Sequence, residues 1–167
     1  MVTIKQVGEA FHHLFSHLTT PEFRKSNNFA SLNEQEMLLL VRFFLLGRFS
    51  DVRAEHLSDY WPNKRIDFMV GDVAVEMAVR PYDKGQHRLN QSINTSEINK
   101  LVKYDGPSAL VLLDFSEDPL TKAELEAEYR KTPSLGAGKH KLYSYSVLYF
   151  FTDGEPSWLR LNINPGG

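Results

Sequence analysis

The chain has 167 residues, 42% hydrophobic and 24% charged, with a formal net charge of -2, which suits one soluble globular domain with a well-buried core. It has no cysteine, so disulfides, thiolate metal sites and thiol catalysis are excluded and a reducing cytoplasm is the expected setting. The balance of charge also excludes binding to nucleic acid by overall attraction, leaving only a local patch for such a role.

In chain order, the opening residues lack the basic, apolar and small-residue succession of a signal peptide, so export is not expected. Thr3 and Gln6 form a capping-box pair ahead of Val7, Phe11, Leu14, Phe15 and Leu18, which share one helical face. This predicts an amphipathic helix ending before Pro21. His13 and His17 lie one turn apart on its polar face; without the glutamate of an HExxH pattern they read as solvated histidines rather than metal ligands. Ser31 and Glu34 repeat the capping signature before "QEMLLLVRFFLLGRF", which is apolar nearly all the way round and predicts a central helix covered on several sides and ended by Gly47. Its longest apolar run, Met37 to Leu46, is interrupted by Arg42 and is about half the length needed to span a membrane, so no membrane partner is expected.

A strand over "DVRAEHL", a hairpin over Arg65 to Arg80 and a long polar connection from Pro81 to Asn94 follow. "TSEINKLVKY" reads as a helix capped by Thr95 or Ser96, and "SALVLLDF" as a strand buried on both faces. An acidic helix near Thr121 to Lys131, a loop over "TPSLGAGKH" and a closing hairpin of "KLYSYSVLYFF" and "SWLRLNI" complete an α/β chain. The organisation is one domain over residues 1–167: an α-β-β-β-α-β core over 31–115, an N-terminal helical extension over 1–30, and a C-terminal helix plus hairpin over 116–167.

The hairpin "RIDFMVGDVAVEMAVRP" carries the chemistry. With Gly71-Asp72 as its two-residue turn, Val70 lies opposite Val73, Phe68 opposite Val75 and Ile66 opposite Met77. One face is then wholly apolar: Ile66, Phe68, Val70, Val73, Val75, Met77 and Val79. The other pairs Asp67 with Glu76, beside Arg65 and Arg80. Like charges directly opposite are unfavourable unless a cation sits between them. Either the two arginines neutralise the acids on an exposed sheet face, or the carboxylates hold a hard divalent cation such as Mg²⁺ or Mn²⁺.

These residues resemble the PD-(D/E)XK, or restriction-endonuclease-like, nuclease superfamily, through the α-β-β-β-α-β order, Asp67 in the second strand and "VEMAVR" in the third. The resemblance covers about half the chain. It implies that Asp67 and Glu76 bind Mg²⁺ or Mn²⁺, with an additional acid for which Glu55, Glu34 and Glu36 are positional candidates. It implies metal-dependent phosphodiester hydrolysis of nucleic acid, DNA ahead of RNA. The family's catalytic lysine falls at position 78, which is Ala78. Arg65, Arg80, Lys100 or Lys103 is left to supply the cation, and a catalytically silent module of the same fold that binds nucleic acid or a protein partner stays open.

The local basic excess from Arg80 to Lys103 makes Lys84, Arg88 and Lys103 the candidate nucleic-acid contacts. Glu97, Lys100 and Tyr104 recur at helical spacing and are placed either towards the site or on the wet side of their helix. Tyr143, Tyr145, Tyr149 and Trp158 read as packing residues, as a dimer surface that would make a homodimer or larger complex, or as stacking partners for unpaired bases.

Overall fold

The computed structural model describes residues 1–26, 34–58, 61–81, 89, 91–131 and 141–165. The expected capping box closes on α1 (Ile4–Leu18): the Thr3 hydroxyl accepts from the Gln6 N–H at 3.2 Å and the Gln6 side chain accepts from the Thr3 N–H at 2.9 Å. Pro21, which lacks an N–H to donate, opens the short α2 (Pro21–Ser26) at a position where none is required. α3 follows as Glu34–Arg48; Ser31, the expected cap, lies outside the described residues.

The remaining elements are β1 (Val52–Ser58), β2 (Trp61–Val70), β3 (Val73–Arg80), α4 (Thr95–Leu101), β4 (Ser108–Asp114), α5 (Lys122–Tyr129), β5 (Tyr145–Asp153) and β6 (Glu155–Ile163). The protein is therefore α/β. The six strands form one open mixed sheet in the order β1-β2-β3-β4-β5-β6. β1, β2 and β3 pair antiparallel, β3-β4 and β4-β5 parallel, and β5-β6 antiparallel. Each parallel step needs a crossover, and α4 and α5 supply the two. Gly71 (φ 58°) and Gly154 (φ 71°) hold the left-handed conformation at the β2-β3 and β5-β6 turns, where a side chain would be strained.

Period-two alternation sorts the strands between two helix layers. Val73, Val75, Met77, Ala109, Val111, Leu113, Leu148 and Phe150 pack with Phe11 and Phe15 of α1 and Met37, Val41 and Leu45 of α3. Ala74, Leu110, Leu112, Val147 and Tyr149 pack with Ile98 and Leu101 of α4 and Leu125 and Tyr129 of α5. All seven residues of β4 are buried, as a strand covered on both faces should be.

Three expectations are corrected. α4 is capped at Asn94, while the Thr95 hydroxyl turns back to the Gln91 and Ser92 carbonyls. α3 is not covered all round: it packs beside α1 and on one sheet face at its β1-β3 end, while Leu39 (52%), Phe43 (66%) and Leu46 (49%) remain exposed. Ile66 leaves the face of Phe68 and joins Met69 and Ala74 in the α4-side layer, for a reason that lies in the site described below. The packing reading of the aromatics, by contrast, holds for Tyr145 and Tyr149, which are buried, and the half-buried Trp158 stacks on Phe150 with centroids 5.7 Å apart.

Two glycines in helices respond to alanine with opposite signs. A Cβ at Gly8 would lie 2.7 Å from two ring atoms of Trp158, whereas one at Gly47 meets nothing within 4 Å. Gly8→Ala is expected to destabilise by about 1–3 kcal/mol, and Gly47→Ala to stabilise by about 0.5–1 kcal/mol. Urea denaturation of the two variants reads both; equal shifts would contradict the packing of α1 on β6.

Candidate active site

The hairpin begins in the register fixed by its two-residue turn: Val70 opposite Val73, Met69 opposite Ala74, Phe68 opposite Val75. The ladder then stops. The Met77 N–H, which an uninterrupted ladder would direct to a β2 carbonyl, donates instead to Asp67 Oδ2 at 2.9 Å. Reciprocally, the Asp67 N–H donates to Glu76 Oε1 at 3.3 Å. Two carboxylates thus take the place of main-chain acceptors, and β2 and β3 part between them. The same substitution breaks the alternation of β2, which is why Ile66 turns to the layer of Met69 rather than that of Phe68.

The opening is closed from the α4 side. Lys100 Nζ reaches Glu76 Oε2 at 2.5 Å and the Arg65 carbonyl at 2.9 Å. Glu76 and Ala78 share the strand face that looks towards α4, where Ala78 packs in the second layer. Lys100 therefore brings an ammonium to the face of Glu76 and Ala78 from the helix. Of the candidates, the structure brings Asp67, Glu76 and Lys100 together.

Glu76 is fully buried. Its carboxyl is pushed up to about 8, first by burial and then by the charge of Asp67, against the opposing influence of Lys100; Glu97 adds a smaller push in the same direction. Burial and Asp67 thus favour its neutral, protonated form, and Lys100 favours the charged one. On the other side, Asp67 is half-buried and lines a recess of about 290 Å³ with Phe68, Ala54 and the α3 residues Gln35, Leu38, Leu39 and Arg42.

The other candidates fall elsewhere. Arg65 is exposed and joins the cluster through its carbonyl. Arg80 does not serve this site: it donates to the Asp118 carbonyl at 2.8 Å and lies 3.6 Å from Asp114, its neighbour across the parallel β3-β4 pair. Tyr104 donates to the Asp72 carbonyl at the hairpin turn, and Lys103 lies beyond the end of α4. Glu36 is exposed on α3. Lys84 and Arg88 lie outside the described residues, as do the side chains of Glu34 and Glu55. The backbone register brackets position 55 opposite Asp67, since Ala54 pairs with Phe68 and His56 with Ile66. Among the described residues no cluster of three or more His, Asp or Glu side chains is assembled, and no helix is long and apolar enough to cross a membrane.

A second buried cluster escaped the sequence reading. Asp114 is fully buried and accepts from the Tyr149 hydroxyl at 2.7 Å and the Ser116 hydroxyl at 2.6 Å, while Tyr149 also accepts from the Leu120 N–H at 2.6 Å. Burial, and then Asp114, hold the Tyr149 phenol above its ordinary range. The available signal was an acid ending an otherwise apolar strand run, with Arg80 ending the strand beside it.

Glu76 gives stability a pH dependence of definite sign. Folding raises its affinity for a proton from an ordinary 4.5 to about 8, so its contribution is full below the lower value and is lost as pH rises through the window between the two. Glu76→Gln removes that loss. Relative to wild type, the variant should gain stability between pH 5 and pH 8, by at most about 1.4 kcal/mol per pH unit. Urea denaturation at both pH values checks this, and parallel pH profiles would contradict it.

No protein-family model matches the chain, and no curated protein or solved structure shows significant similarity to it.

Proposed function

We propose that the protein is a metal-dependent nuclease of restriction-endonuclease-like fold that hydrolyses phosphodiester bonds in nucleic acid, DNA ahead of RNA, in a cytoplasmic setting. The observation that carries the reading is the meeting of Asp67, Glu76 and Lys100 where the β2-β3 ladder stops, with Lys100 Nζ 2.5 Å from Glu76 Oε2. The succession α3-β1-β2-β3-α4-β4 supports it.

The donor set fits a hard divalent cation. Two carboxylates meet where the ladder stops, and hard divalent ions favour such oxygen donors. Asp67 and Glu76 would hold the ion, with position 55 opposite Asp67 the place from which a further acid can come. When bound, the ion would polarise a phosphate oxygen and supply a nucleophile derived from water at neutral pH. Lys100 does the work assigned to the missing lysine. Its contact with the Arg65 carbonyl gives the ammonium an anchor independent of Glu76, and from there it can hold a phosphate oxygen or orient a water.

One observation favours a second reading, a silent module of the same fold that binds nucleic acid or a protein partner. Glu76 is wholly buried and already paired with Lys100, so an ion has to displace a formed contact.

Cleavage of single-stranded DNA, duplex DNA and RNA in Mg²⁺ and in Mn²⁺ tests the proposal. Wild type should cleave only with metal. Asp67→Asn should abolish cleavage, and Lys100→Ala should lower it by about 10²–10³. Ala78→Lys in the Lys100→Ala background should restore part of the loss, because it returns an ammonium to the face of Glu76. No cleavage by any of them, with metal bound, would leave the silent module; no cleavage and no metal bound would overturn the nuclease reading.

A further inference from the structure

The end of β6 reads "RLNIN", in which Arg160 and Asn162 share one strand face by period-two alternation while Leu161 and Ile163 fill the core on the other. Asn162 lies opposite Ser146 of β5. Together with Ser108, Ser144 and Asn164 these residues line a recess of about 480 Å³ at the N-terminal ends of β4 and β5. This is the end of the sheet away from Arg80 and Asp114, which lie at the C-terminal ends of β3 and β4.

The hydrogen bonds determine which groups remain for a ligand. Asn162 Oδ1 accepts from both the Ser146 hydroxyl at 3.0 Å and Arg160 Nε at 3.1 Å. With its oxygen engaged twice, Asn162 presents its Nδ2 amide as a donor. Arg160, held through Nε, presents its two terminal nitrogens, and among the described residues no carboxylate pairs with it. No acidic side chain is among the described residues of the wall.

A wall rich in donors, carrying one oriented guanidinium and no carboxylate, selects an anion. The several donors arranged around it suit a tetrahedral group with three terminal oxygens better than a planar one. We infer that this recess binds a phosphoryl group, through Arg160 and the Asn162 amide, at a site separate from the Asp67-Glu76 opening. The group comes from a small phosphorylated molecule or from the end of a nucleic-acid strand.

Isothermal titration of the full chain with inorganic phosphate, with succinate, and with a short oligonucleotide carrying either a 5′-phosphate or a 5′-hydroxyl tests this. Saturable phosphate binding is expected, weakened about tenfold or more in Arg160→Ala and unchanged in Arg53→Ala, which removes an exposed arginine elsewhere. Asn162→Asp is the sharper variant. It preserves the acceptor for Ser146 and Arg160 but replaces the amide donor with negative charge, so it should abolish phosphate binding while the chain melts as wild type does. A preference for the 5′-phosphate oligonucleotide over its 5′-hydroxyl form, beyond the affinity for phosphate, assigns the strand end; equal affinities assign the small molecule. Absence of saturable phosphate binding, succinate binding as tight as phosphate, or unaltered phosphate affinity in Arg160→Ala and Asn162→Asp would overturn the inference.

Discussion

The structure of the candidate site depends on a main-chain N–H that bonds to a carboxylate. Asp67 takes the N–H of Met77 and Glu76 takes that of Asp67 at the point where the β2-β3 ladder stops. The N–H groups of Met77 and Asp67 nevertheless stay satisfied, as burial requires. The arrangement brings together two carboxylates that would repel in a closed ladder, and a cation beside them or a proton on Glu76 makes their proximity tolerable. Lys100 meets part of that demand. Removing one partner of so buried a pair would leave an uncompensated charge or force its protonation, which ties the position of α4 to the geometry of the hairpin.

The parallel pairing of β3 with β4 makes this possible. Because β4 returns in the direction of β3, the intervening chain crosses one face of the sheet, and α4 lies on that crossover with Lys100 over Glu76. The same parallel register sets Arg80 beside Asp114 at the far ends of the two strands. There the arginine, the Tyr149 hydroxyl and the Ser116 hydroxyl surround a buried carboxylate. The two buried acids thus receive different treatment. Asp114 is enclosed by hydrogen-bond donors, whereas Glu76 keeps a raised affinity for a proton because burial and Asp67 outweigh Lys100.

Much of this was legible in the chain. The Gly-Asp turn fixes the start of the hairpin register by counting, and the acidic pair follows from it. The unbroken apolar run of β4 and the capping box of α1 are local signals that the packing preserves. Ile66 was assigned to the wrong face because alternation assumes an intact ladder, and two side chains interrupt it. Arg80 looked like a partner of Glu76 because both lie on β3; its actual neighbour, Asp114, comes from the far side of a crossover. Lys100 was one cation among four by spacing alone, and only the path of α4 separates it from Arg65, Arg80 and Lys103. The exposed stripe Leu39, Phe43 and Leu46 shows the converse, since hydrophobicity all round a helix does not establish that every side is covered.

Mn²⁺ binding followed by electron paramagnetic resonance tests the proposed cation site at Asp67 and Glu76 without requiring a substrate. Wild type should bind one Mn²⁺ per chain, and Asp67→Asn should lose that binding while retaining its fold. Absence of Mn²⁺ binding to wild type, or equal binding by the variant, would contradict the account.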